Sequence, residues 1–446
     1  RVLQRHVCWS VQGVRHGGFA DAPSALSLHR SCGCRGCCRS CLAPMSSRGL
    51  SSSSVSASDE HLQQQKQQQQ REVSELTTRV VNDLSGAVAV QLMYIGDRLG
   101  LFKVLAEAPV GMTSAELANK AGCNLRYVET WCQACVSHSF METEVVVTSG
   151  TGTNLEDGKR RYWMTFAQQQ VLAVEGGRSF QCGAAQYISA SAQVTPAMIE
   201  RGFRCLHGGG LSWEELGQDA REGVARMSGV TLRDLLPSWI GSMPEGARAL
   251  SNSGARILDV GCGFGLSTLA VAAAFPDASV VGLDPDCASI AGARAELARR
   301  PSLGNVRFEE RGLEDIGDLM KGGFDVILAY DCIHDLPDPF KSLELCRRLL
   351  RRDASTASSV GVLLWFEPHG SDDPYQNREI MGARMVAGIA LNCVTTSMAT
   401  GGAGLGAHGC TPAKAEALAR RAGFQYFRQE QNLKGAQYRN NVYILH

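Results

Sequence analysis

Neither sign of charge is in excess. Lysine plus arginine number 44 and aspartate plus glutamate number 44, so the chain as a whole offers no polycationic surface for nucleic acid and no polyanionic one for a cationic partner. Long apolar runs are missing as well. None reaches the roughly 18 residues that a membrane span requires, and the longest candidate is broken at Pro276-Asp277. Also missing is the cysteine spacing of a disulfide framework or a zinc module. Of 17 cysteines, six crowd into the first 41 residues (Cys8 and the CGCRGCCRSC run from Cys32 to Cys41) with no histidine or second knuckle at zinc-finger distance. The other eleven are scattered singly, which is the pattern of reduced intracellular cysteines. No metal site is assigned from the sequence.

What is present is ordinary globular material, 44% apolar and 20% charged over 446 residues, enough for two or three cores. Residues 1–58 hold seven arginines and one acid, Asp21, among many serines. This leader reads either as an organellar transit peptide or as sequence upstream of a start at Met45. The first places the protein in a plastid or mitochondrion, the second in the cytoplasm. Residues 59–83 read as a linker around QQQKQQQQ (Gln63 to Gln70), disordered or a frayed helix.

Residues 84–174 read as a winged-helix domain. LSGAVAVQLMYIGDRLGLFKVLA has helical periodicity up to Gly100. MTSAELANKAG carries a capping box, Thr113 or Ser114 with Glu116, and stops at Gly122. NLRYVETWCQACVSHSF is a second short helix from Asn124, and METEVVV and RRYWMT flank a Gly/Asn/Asp loop as a β-wing. The second helix sets only Arg126 and His138 against Glu129, too few cations to neutralise phosphates. DNA binding is therefore not expected, and the domain reads as a subunit-packing and site-covering element. Residues 175–250 read as a helical connector that contributes to the substrate region, interrupted at Gly208 to Gly210.

From 251 to 446 strand and helix alternate: RILDVG, ASVVGLD, VRFEERG and FDVILAY each precede a helical stretch, GVLLWFEP precedes a long mixed segment, and FQYFRQEQ and NNVYILH read as terminal strands. Near-continuous apolar strands in βα units imply a doubly wound, mostly parallel sheet. The turn after its first strand, ILDVGCGFG (Ile257 to Gly265), resembles a nucleotide loop but spaces its glycines as G-x-G-x-G and places Asp259 before them. A carboxylate there repels a pyrophosphate and attracts a ligand bearing an ammonium and a sulfonium, such as S-adenosylmethionine (SAM). Asp284, ending VVGLD, stands where an acid accepts bonds from ribose hydroxyls.

ILDVGCGFG and VVGLD resemble the first two motifs of class I SAM-dependent methyltransferases. With YIGDRLGLFKVLA, the helix–turn–helix and YDCIHDLPDP, the likeness runs from about Leu84 to His446. It extends to a family that pairs a winged-helix domain with this α/β Rossmann-like fold, plant-type small-molecule O-methyltransferases among its relatives. The resemblance implies an antiparallel last strand, a homodimer through the N-terminal helical domain, and SAM held by Asp259, Gly261, Gly263, Gly265 and Asp284. It puts the adenine near Leu313 and Glu314, where relatives carry an aspartate and this chain has Gly312. It also implies that His334, in His334-Asp335, is the general base for a hydroxyl acceptor, steadied by Glu367, with Asp331 counted among the SAM-binding residues and shaping the pocket. Relatives follow His-Asp with tryptophan; this chain has Leu336-Pro337, so its substrate wall differs.

The expected function is methyl transfer to a small molecule, at a hydroxyl oxygen, because a positioned base near neutrality suits that acceptor. Two alternatives stand beside it: transfer to carbon or nitrogen, and a SAM-sensing winged-helix regulator. GGAGLGAHG (Gly401 to Gly409) follows no strand and reads as a flexible loop beside the acceptor pocket, with His408 solvated.

Overall fold

The computed structural model describes residues 53–145, 160–251, 253–317, 323–352, 360–380, 382–435 and 440–446. Two units are distinguished, Arg1–Val73 and Ser74–His446. In the first, the described residues from Ser53 onward belong to a helix, and this includes the glutamine tract expected as a linker. The leader's first 52 residues and most of the wing loop lie outside the described residues.

The second unit begins within the same helix, which runs Ser53–Arg98. Along its later part Leu76, Val80, Leu84, Val88 and Ile95 are all exposed. Spacings of four and seven put them on one stripe, an apolar face left uncovered by this chain. The helix–turn–helix follows as Ser114–Ala121 and Leu125–Ser137. Its first helix opens on the capping box read from the sequence, Thr113 with Glu116. Three short strands, β1 (Met112–Thr113), β2 (Glu142–Val145) and β3 (Arg160–Trp163), pair antiparallel in the order β1-β3-β2. In the second helix Val128 and Trp131 turn into a core with Phe102, Leu117 and Tyr162, whereas Tyr127 is exposed and Arg126 pairs with Glu129.

The larger sheet has seven strands: β4 (Arg256–Val260), β5 (Ser279–Asp284), β6 (Val306–Glu310), β7 (Val326–Tyr330), β8 (Val362–Pro368), β9 (Phe427–Glu430) and β10 (Asn440–Leu445). Their order is β6-β5-β4-β7-β8-β10-β9. The first five are parallel; β10 runs antiparallel to β8 and β9 antiparallel to β10. The five inner strands are buried almost throughout because helices cover both faces, whereas the edge strands β6 and β9 are half-exposed; this is why the inner strands read as continuous apolar runs. The chain reverses its filling direction between β4 and β7, so a crevice opens at the carboxyl ends of those strands.

Among the described residues no helix is long and apolar enough to cross a membrane. The helices Cys182–Met198 and Gln218–Val230 join the two halves. There Arg226 grips Asp97 of the first helix through two bonds of 2.7 and 2.9 Å, and also reaches Gln186 and Glu175.

Candidate active site

The turn after β4 takes its shape from three glycines with φ of 68°, 52° and 74° at Gly261, Gly263 and Gly265. The left-handed region suits glycine because it has no Cβ to clash. At Gly261 there is a second reason: a Cβ would lie 2.7 Å from the Cβ of Cys332. At Gly263 a Cβ would meet nothing within 4 Å, so the turn is open on that side.

Asp259 sits beneath this turn, almost wholly buried. Its Oδ2 accepts bonds of 2.6 Å from both Ser267 and Thr268, at the start of the next helix (Leu266–Ala274), while Oδ1 is buried with no hydrogen-bond partner. Burial lifts its carboxyl to about 6, the two hydroxyls oppose that, and Asp284 adds to it. Asp259 is thus a buried acid with one unpaired oxygen, a setting that favours nearby positive charge. Asp284, at the end of β5, accepts from the Gly263 and Asp286 amides at 2.9 Å each. Burial raises its carboxyl too. These residues fit a cationic nucleoside: two acids at adjacent strand ends, a turn that is open at Gly263, and an unpaired buried acceptor.

Of the proposed adenine-side residues, Leu313 is buried in the sheet core and Glu314 is exposed on the 3-10 turn Leu313–Asp315. Only the neighbouring strand end is tied to the acid, through the Arg311 amide on the Asp284 carbonyl at 3.1 Å.

The second cluster follows β7. His334 lies in the turn Ile333–Asp335 and is 2% exposed. Its Nδ1 bonds to Glu367 Oε2 at the end of β8, and the other Glu367 oxygen accepts from Trp365 Nε1 at 2.5 Å. Nε2 lies 3.4 Å from Asp335 Oδ1. Burial opposes charge on the ring, but the carboxylates of Asp335 and Glu367 outweigh it and raise the imidazole well above its usual range. Asp331, counted from the sequence among the SAM-binding residues, lies beside this cluster. It bonds to Asn440 Nδ2 at 2.9 Å, and its carboxyl is pushed up first by burial, then by Glu367.

Other residues here carry no motif. Cys393 and Asn392 come from the helix Ala383–Ala399, and Tyr187 from Cys182–Met198. Asn392 bonds to Ser191, and Tyr187 and Cys393 are both coupled electrostatically to His334 and Asp335. They come together only because two helices far apart in sequence pack over the His334 turn. The glycine-rich loop is tied down beside the same turn, Ala403 N to Pro337 O at 2.8 Å. His408 is not solvated as expected: it is half-buried against Gly370, with Nε2 shielded and unpaired.

Comparison with known proteins identifies the fold. A methyltransferase-domain family matches residues 258–355, and an Rv2258c-like winged helix-turn-helix family matches residues 86–147. A ubiquinone biosynthesis O-methyltransferase of Xanthomonas oryzae pv. oryzae (strain PXO99A) is 30% identical over 102 residues, 23% of this chain and 41% of that protein. One from Pseudomonas aeruginosa (strain LESB58) is 32% identical over 120 residues, 27% and 49% respectively. The chain thus spans less than half the length of these curated relatives. Solved structures cover far more of it. An O-methyltransferase family protein from Burkholderia thailandensis superposes over 83% of this chain and 97% of its own, with a TM-score of 0.58 at 15% identity. Human N-acetylserotonin methyltransferase in complex with SAM does so over 83% and 97%, with a TM-score of 0.51 at 18% identity. The chain contains a methyltransferase domain of the class I fold, preceded by a winged helix-turn-helix domain.

Proposed function

We propose that this protein transfers a methyl group from SAM to a hydroxyl oxygen of a small molecule, with His334 as the general base. The observation that carries this reading is the buried His334–Glu367 pair at the carboxyl edge of the sheet, two strands from Asp284 in the same crevice.

Asp284 and the Gly261–Gly265 turn would hold the donor, and Asp259 would favour its positive charge from below. Bound there, SAM supplies a methyl group on a sulfonium, already activated for displacement. The chain's own task is alignment, exclusion of water and removal of one proton. Glu367 fixes the ring of His334 through Nδ1, which leaves Nε2 to take the acceptor's proton. Asp335 and Glu367 then stabilise the imidazolium. The same carboxylates favour a protonated ring before the donor arrives; a cation in the crevice offsets them and frees Nε2 as a base. Tyr187 and Asn392 face the acceptor and supply polar contacts to it.

The exposed stripe of Leu76, Val80, Leu84, Val88 and Ile95 supports a homodimer formed through the first helix.

The test is transfer of labelled methyl from SAM into a panel of small phenols and alcohols, with His334→Ala alongside. Turnover by the variant falls roughly 10²–10⁴-fold while SAM affinity, read by calorimetry, stays as in wild type. Full turnover by His334→Ala would remove the base assignment, and failure of the folded wild type to bind SAM would remove the whole reading.

A further inference from the structure

The pocket over His334 holds a set of donors that proton transfer alone does not explain. His334 Nε2, Asp335 Oδ1 and Cys393 Sγ lie within 4.8 Å of one another. Cys393 is 58 positions beyond Asp335 in the chain, so spacing along the sequence could not reveal the group. We propose that these three side chains form a binding site for a thiophilic divalent metal ion of the zinc type.

Four observations carry this. The first is geometric. Bonds of about 2.0–2.3 Å at tetrahedral angles hold zinc ligands roughly 3.4–3.7 Å apart, and Nε2 and Oδ1 already stand 3.4 Å apart. Cys393 Sγ lies within 4.8 Å of both residues' donors, so an inward shift of at most about 1 Å completes the set. The second is an under-satisfied acid: Asp335 Oδ1 is buried and makes no full hydrogen bond, its contact with His334 Nε2 standing at 3.4 Å, although a buried carboxylate oxygen ordinarily has a close partner. The third is the support behind the histidine. Its other nitrogen is held by Glu367, itself fixed by Trp365, the carboxylate–histidine arrangement that orients metal-binding imidazoles. The fourth is access. Cys393 is partly exposed and the Asp335 side chain is 16% exposed, so an ion can enter and keep a position open to solvent.

A mixed imidazole, thiolate and carboxylate set selects zinc over magnesium or calcium, which prefer oxygen donors alone. Glu367 adds negative charge beside it. On coordination the Cys393 S–H bond breaks, its proton goes to solvent and the sulfur lone pair goes to the metal. The His334 Nε2–H bond breaks as well, its proton goes to solvent and the nitrogen lone pair goes to the ion, so zinc blocks methyl transfer. That consequence rests on the base assignment above; the coordination does not.

The experiment uses Co²⁺ as a coloured stand-in for zinc, titrated into the purified full-length chain without chelators. Wild type develops thiolate-to-cobalt absorption and the intense visible bands of tetrahedral cobalt, and Zn²⁺ bleaches both. The N-terminal cysteines are present in every variant, so the signal is the difference from Cys393→Ser, which loses one equivalent. Substitution of the exposed Cys205 by serine leaves the signal unchanged. Asp335→Asn keeps the thiol but weakens Zn²⁺ binding at least tenfold. A spectrum identical in wild type and Cys393→Ser overturns the proposal, as does unchanged zinc affinity in Asp335→Asn. Cobalt binding without any methyl transfer would leave the metal site standing and remove only the proposed activity.

Discussion

Replacing Asp259 by asparagine tests the electrostatics of the cofactor crevice directly. Burial lifts the carboxyl of Asp259 to about 6, against about 3.9 for an ordinary aspartate. A rise of that size corresponds to about 3 kcal/mol of differential interaction between the two protonation states. Because the folded-state value is raised, the associated stability is fully present below about pH 4 and is lost as pH rises through about 6. Between about pH 5 and pH 7 the loss is ~1.3 kcal/mol by the same relation. Asparagine cannot ionise and lacks this component. Urea denaturation followed by tryptophan fluorescence at both pH values should show wild type losing ~1.3 kcal/mol relative to Asp259→Asn on going up in pH. Carboxyls remote from Asp259 titrate in both proteins and cancel in the difference; Asp284, which interacts with Asp259, does not cancel fully. SAM should raise the melting temperature of wild type more at pH 7 than at pH 5, and the variant should lack that trend. Parallel pH profiles for the two proteins would refute the picture of a buried, cation-seeking carboxylate.

Three other substitutions probe the frame. Gly261→Ala puts a Cβ on a left-handed residue 2.7 Å from Cys332, and the folded state should lose about 2–4 kcal/mol, read as a fall in urea midpoint. Arg226→Ala strands Asp97, only 5% exposed, and should destabilise by about 3 kcal/mol. Arg226→Lys should recover only part of that in the same denaturation assay, because lysine cannot make the forked contact. Leu84→Lys combined with Val88→Lys should convert the proposed dimer to a monomer in light scattering without changing helix content by circular dichroism. An unchanged mass would place the subunit contact elsewhere.

Features encoded locally were readable before any coordinates. The strand, acid and glycine turn from Ile257 to Gly265 depend on neighbouring residues, and so does the Thr113 capping box; both stand where their patterns put them. The antiparallel β10 also follows the resemblance. Other features depended on packing between distant segments. Cys393, Asn392 and Tyr187 have no motif, and only the crossing of two helices over the His334 turn makes them neighbours. The bond from Asn440 to Asp331 spans more than a hundred positions, so no local motif announces it. The two-residue β1 is too short to leave a periodic signal. The glutamine tract has no apolar pattern, and it forms part of a long helix through backbone propensity alone.

The reversed strand β10 sits between β8 and β9, and its Asn440 is the residue that holds Asp331. More than seventy residues separate it from β8, and a ribosome must polymerise all of them before that hydrogen bond exists. Until then the nascent chain carries β8 with one flank bare and Asp331 without its Asn440 partner. The His334 cluster is therefore completed only after β10 has been made and has paired with β8.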